Sequence, residues 1–84
     1  MEQFETGMMA RSKSGHDVGK VYVITKVEEA YVYLVDGKVR TLDKPKKKKK
    51  KHVQLIKESF DIQGATDVDI KRWIKIWNKE DNQN

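Results

Sequence analysis

Apolar positions alternate with polar ones through the first half of this chain, and near its end they recur at helical spacing instead. Met8 to Lys13 puts Met8 and Ala10 on one face and Met9 and Arg11 on the other, a first short strand. The stretch Ser12 to Lys20 is too polar to continue it, and Gly15 and Gly19 supply the backbone freedom of a tight loop. Val21 to Val27 and Ala30 to Val35 are β-branched and aromatic, with Glu28-Glu29 between them, and read as two further strands. Asp36-Gly37 follows at once and predicts a type I′ hairpin turn, in which both central residues need positive φ. Val39 to Leu42 is then expected to pair back as a fourth strand before Lys44-Pro45 interrupts the ladder. His52 to Ile56 fits a short closing strand or a helical turn. Four or five short strands joined by turns point to a mainly β fold, a small barrel or strongly curved sheet that leaves few edges open.

The end of the chain is patterned differently. Thr66 precedes Asp67, Val68 and Asp69, close to a capping box with Asp in place of Glu or Gln, and both acids suit the positive end of a helix dipole. Ile70, Trp73, Ile74 and Trp77 then fall at i, i+3, i+4 and i+7. A C-terminal α-helix from about Asp67 to Lys79 is expected, reached through a connection made flexible by Gly64 and fraying over Asp81 to Asn84. The tryptophans are most simply the stripe that docks this helix on the strands, the other use of such a stripe being a partner surface. The expected organisation is residues 1–57 as a β-barrel carrying a lysine-rich loop 44–51, then 58–84 as linker and helix.

Charge changes the picture by its placement. The chain has 84 residues and a net charge of +5. Residues 1–37 carry four basic and six acidic residues and are at -2, as are residues 58–84 with the same counts. Residues 38–57 carry ten basic residues against Asp43 alone, which makes +9. A mildly acidic body with one cationic band, built around the unbroken run Lys46 to Lys51, is a statement about an anionic partner.

Candidate chemistry is sparse. A core of this size is marginal, which disfavours a multi-step active site. Gly15 to Lys20 has three residues between its glycines and Val21 after its lysine, where a phosphate-cradling P-loop has four and a Ser or Thr. His16 and His52 are the only histidines and there is no cysteine, so neither a metal site nor any cofactor is expected. No serine stands in a nucleophile elbow, and an enzyme is not expected. The lack of cysteine fits a reducing cytoplasm, and no apolar run approaches the roughly 18 residues of a membrane span.

Gly7 to Gly37, with its alternating strand, the loop Ser14-Gly15-His16-Asp17-Val18-Gly19-Lys20, the run Val21 to Val27 and the return Tyr31-Val32-Tyr33-Leu34-Val35-Asp36-Gly37, resembles a KOW motif. The similarity is to the KOW-type large-subunit ribosomal proteins of archaea and eukaryotes and to small bacterial KOW-domain RNA-binding proteins. It extends through Lys51-His52-Val53-Gln54, 48 residues in all. In that family the fold is an SH3-like barrel and the glycine matching Gly19 is the signature. Tyr22 stands where many KOW proteins carry a second glycine, which favours the ribosomal branch over that of transcription elongation factors. The resemblance implies RNA binding through the loop around Gly19 and its basic neighbours.

The physical reading runs parallel to the resemblance. Lysines held at a barrel mouth neutralise phosphates and release counterions. The candidate RNA-binding residues are Lys13, Ser14, Gly15, His16, Gly19 and Lys20 on the first loop, Lys38 and Arg40 after the third strand, and Lys44, Lys46, Lys47, Lys48, Lys49, Lys50, Lys51 and His52 in the basic segment. Backbone N–H groups of the glycine loop could approach phosphates, with Lys20 or Arg40 adding directed contacts. Tyr22, Tyr31 and Tyr33 could stack on unpaired bases, though core or cross-strand packing is their ordinary use. The expected function is a monomeric, cytoplasmic, non-catalytic binder of structured ribosomal RNA, with ribosomal proteins as further partners and no membrane. The competing expectation is an SH3-like protein-interaction module whose lysines are an accessory charge patch.

Overall fold

The computed structural model describes residues 3–81 and is built from five strands and one α-helix. The strands are β1 (Met8–Ser12), β2 (Val21–Val27), β3 (Tyr31–Val35), β4 (Lys46–Lys49) and β5 (Val53–Ser59), followed by α1 (Asp67–Asp81). All pairings are antiparallel and form one sheet in the order β4-β3-β2-β1-β5. A single 3₁₀ turn, Lys50–His52, joins the two outer strands β4 and β5.

Alternation puts side chains of the same strands into two cores. Ala10, Tyr22, Ile24, Val32, Leu34, Val53 and Leu55 form one cluster, supplied by strands alone. With no helix on that side, the sheet itself must bend over these residues to bury them, and irregularities at Met8/Met9 and around Thr25 supply bends. Met9, Val21, Val23 and Val35 form the second cluster with Ile70 of α1, which is fully buried. Phe60, Ile62, Trp73, Ile74 and Trp77 pack around it, and the Phe60 and Trp73 rings stack at 4.7 Å with 4° between their planes. The tryptophan stripe therefore seats the helix on the sheet. The helix start is the reciprocal box its sequence predicts: Asp69 N–H donates to Thr66 Oγ1 at 3.2 Å, and Thr66 N–H to the Asp69 carboxylate at 3.0 Å.

Four expectations are corrected. Val39 to Leu42 is loop, and the strand that pairs with β3 is the lysine run itself, with Leu34 opposite Lys46 and Tyr31 opposite Lys49. The supposed lysine-rich loop 44–51 is thus mostly a strand and a 3₁₀ turn. Lysine has little strand preference of its own. It is tolerated here because β4 is an outer strand whose aliphatic stems lie along a β-branched and aromatic neighbour. Asp36-Gly37 is not a type I′ turn, since Gly37 has φ +79° but among the described residues only glycines have positive φ, so Asp36 does not. Asp36 instead accepts the N–H groups of Lys38 and Arg40 at 2.9 and 2.8 Å, a local side-chain bond that displaces the ladder.

The fourth correction concerns the second half. β5 runs on to Ser59, past the boundary expected at residue 57, and Phe60 N–H continues by donating to Gly7 O at 2.8 Å. In the connection to the helix, Phe60 and Ile62 pack into the helix-side core. Asp81 is the last residue of α1, while the rest of the expected fraying segment, Asn82 to Asn84, lies outside the described residues.

Candidate nucleic-acid interface

Strand periodicity sorts the lysines of β4 by side. Lys46 and Lys48 turn toward the β1–β2 loop, where Lys46 Nζ lies 3.0 Å from Asp17 Oδ2 and Lys48 Nζ 3.1 Å from Asp17 Oδ1. Lys48 also donates to the Ser14 carbonyl at 2.9 Å. Asp17 is buried, and Ser12 Oγ and Tyr22 OH donate to it at 2.7 and 3.0 Å. Burial by itself would raise the Asp17 pKa, but the bonds from Ser12, Lys46, Lys48 and Tyr22 outweigh it and hold the carboxyl well below the usual carboxylate range. The same contact, with burial as the larger cause, pushes the Tyr22 hydroxyl up to about 12.

Lys47 and Lys49 face the opposite side and are exposed. Lys47 Nζ sits 4.4 Å from the centre of the Tyr31 ring and 5.9 Å from that of Tyr33, whose ring also carries Lys26 Nζ at 5.2 Å. Lys50 Nζ lies 5.6 Å over Phe4, and Lys51 is exposed. Lys49, Lys50 and Lys51 line a hollow of about 480 Å³ with Glu29, Ala30 and Tyr31 of the β2–β3 turn. This is a row of ammonium groups at positions set by a strand, with aromatic rings beneath two of them.

The tyrosines divide as well. Tyr22 is 3% exposed and committed to Asp17, so it is not available to stack on a base, a correction to its candidacy. Tyr31 and Tyr33 are half-buried, and the rings that could have received bases are covered by lysines.

On the β1–β2 loop, Lys13, Gly15, His16, Gly19 and Lys20 are exposed. Two of its backbone donors are turned inward: Gly19 N–H donates to Ser12 O at 2.9 Å and Lys20 N–H to Asp17 O at 3.0 Å. Closing the turn uses these two amides, which are therefore not offered to phosphates. His52 lies at the other end of that loop, its carbonyl accepting Lys13 N–H at 2.8 Å. Lys38, Arg40 and Lys44 belong to the β3–β4 loop, with Lys38 and Lys44 exposed and Arg40 half-buried. This loop is tied to the helix by Leu42 N–H, which donates to Asp67 Oδ1 at 2.8 Å.

A second basic cluster was not expected from sequence. Lys20 and Lys38 meet Lys71 and Lys75 of α1 around a groove of about 650 Å³. The helical lysines are four apart, so their common face was readable, but not which loops it faces.

Among the described residues no group of three His, Cys, Asp or Glu could hold a metal ion, and no helix is long and apolar enough to cross a membrane. Neither the models of protein families nor the curated proteins contain a match to this chain.

Proposed function

We propose that the protein is a non-catalytic RNA-binding protein that contacts structured ribosomal RNA. The observation that carries this reading is the outward row Lys47, Lys49, Lys50 and Lys51, displayed on an ordered strand and turn of a protein whose remaining segments are net acidic. Ordered cations engage phosphates without first losing the conformational freedom of a loop. The proposed fold behind it is an SH3-like barrel of KOW type. The strand order β4-β3-β2-β1-β5, the 3₁₀ turn between the two outer strands and the strand-only core support that assignment. Ribosomal RNA, as the particular target, rests on the resemblance of Gly7 to Gln54 to KOW-type ribosomal proteins. The lysines supply affinity, and selectivity falls to shape around the β1–β2 loop.

The test changes Lys47, Lys49, Lys50 and Lys51 to Gln together and leaves Lys46 and Lys48 in place, since those two pair with Asp17. Affinity for large-subunit ribosomal RNA fragments should fall, and the log-log salt slope should become shallower by up to roughly 3. An unaltered affinity and slope would overturn the reading. Capture of partners from cells with and without nuclease adds a second arm, because a protein partner survives digestion and an RNA does not.

A further inference from the structure

We infer that the groove between α1 and the two long loops is a second seat for the sugar–phosphate backbone of the same RNA, so that the C-terminal helix is part of the binding surface as well as the cover of a core. This rests on the RNA-binding reading above.

The groove joins three segments distant in sequence. Gly19 to Val21 forms one wall, Asp36, Lys38 and Val39 of the β3–β4 loop a second, and one face of α1 the third. Four lysines surround it: Lys20, Lys38, Lys71 and Lys75. Among the described residues none of the four is in an ion pair. Asp36 is the one carboxylate in the lining, and its Oδ1 is already engaged by the N–H groups of Lys38 and Arg40. The field in the groove is therefore that of a cationic cleft, which concentrates a polyanion.

Its geometry selects the kind of anion. No nest of backbone donors converges there, since Gly19 and Lys20 N–H are used within their own loop. A single free phosphate would find scattered charges and no cradle. A chain of phosphates, in contrast, can meet lysines spread around a rim one after another. Between the lysines, beside Asp36 and Asn78, the lining offers apolar surface from Val21, Ile74 and Val39, the last 76% exposed. That surface suits ribose faces better than a carboxylate-rich peptide, which would leave its polar backbone against valine and isoleucine. The fold holds the walls together: a Cβ at Gly37 would collide with the Asp67 carbonyl and come within 2.9 Å of Lys71 N, so the β3–β4 loop lies directly against the helix.

The experiment uses the full chain and the double variant Lys71→Gln, Lys75→Gln, both on exposed helix positions. Its thermal transition should match that of the parent. Affinity for a large-subunit ribosomal RNA fragment should fall about tenfold at ~0.1 M salt, and the salt slope should become shallower by roughly 1.5. RNA carrying 4-thiouridine should crosslink under light to peptides containing residues 38–39 or 71–75. If the double variant binds as the parent does while the β4 quadruple variant is impaired, the groove proposal is overturned and the RNA reading stands. If both variants bind normally, the RNA reading itself has failed. Crosslinks confined to β4, or displacement of the RNA from the groove by polyglutamate as effectively as by polyuridylate, would also overturn the groove as an RNA seat.

Discussion

A single carboxylate explains why two of the six consecutive lysines are not interchangeable with the rest. Asp17 is buried and accepts bonds from Ser12, Tyr22, Lys46 and Lys48, so its charge is tolerated only while those partners remain. Lys48→Met removes one of them and should destabilise the fold by about 2 kcal/mol, Lys46 still compensating part of the charge. Lys49→Met, one residue along and facing away, should change stability by less than about 0.5 kcal/mol. Urea titrations of the two variants make the comparison. The same site sets a pH dependence at both extremes. Asp17 has its pKa lowered in the folded state, so its contribution is present above the unfolded value of about 3.9 and is lost as pH falls below it. Tyr22 has its pKa raised, so its contribution is complete below about 10 and is lost as pH rises toward about 12. Tyr22→Phe should flatten the fall in stability between those two pH values, although it lowers stability near neutrality by removing a donor to Asp17. Chemical denaturation followed by circular dichroism between pH 8 and pH 12 reads both effects.

At the level of elements, β4 and α1 show opposite relations between composition and structure. The helix forms where its cap, its acidic first turn and its apolar stripe all agree, and its orientation follows from which residues that stripe contains. Ile70 is fully buried against Met9, Val21, Val23 and Val35, whereas Ile76 is 48% exposed. Ile70→Ala should therefore cost about 3 kcal/mol and Ile76→Ala less than about 0.5 kcal/mol, measured as a difference in urea midpoint at constant m-value. β4 forms against its intrinsic preference. Pairing with Tyr31–Val35 and the Asp17 network supply what lysine lacks, and charge along an outer strand guards against pairing with a second molecule.

Across the whole molecule, charge and fold are arranged so that the proposed binding would not compete with folding. The lysines that hold the protein together point to Asp17, and those of the proposed RNA-binding surface stand on the other side of β4, on the 3₁₀ turn, or around the helix groove. The proposed RNA binding should thus weaken steeply with salt through the exposed set, while the buried pairs, screened far less, keep the fold. The helix, packed on one face of the sheet, closes a core and in the same position brings Lys71 and Lys75 toward the loops that carry Lys20 and Lys38.

Much of this was readable from local pattern. Alternation located β1, β-branched and aromatic content located β2 and β3, the 3.6-residue period and Thr66 located α1, and the charge count located the basic band, because each depends only on neighbours along the chain. Val39 to Leu42 departs from its strand-like pattern because Asp36 offers the adjoining backbone a nearer bond than a strand would, and the lysine run departs from its loop-like composition because its pairing partner outweighs its propensity. No local signal joins Asp17 to Lys48, 31 residues apart, or Lys20 to Lys75. Those meetings arise from strand order, register and the bend of the sheet, which turn one lysine inward and the next outward. A run of identical residues carries no information about that choice, and only its position opposite β3 divides it into cations that pair with Asp17 and cations left on the surface.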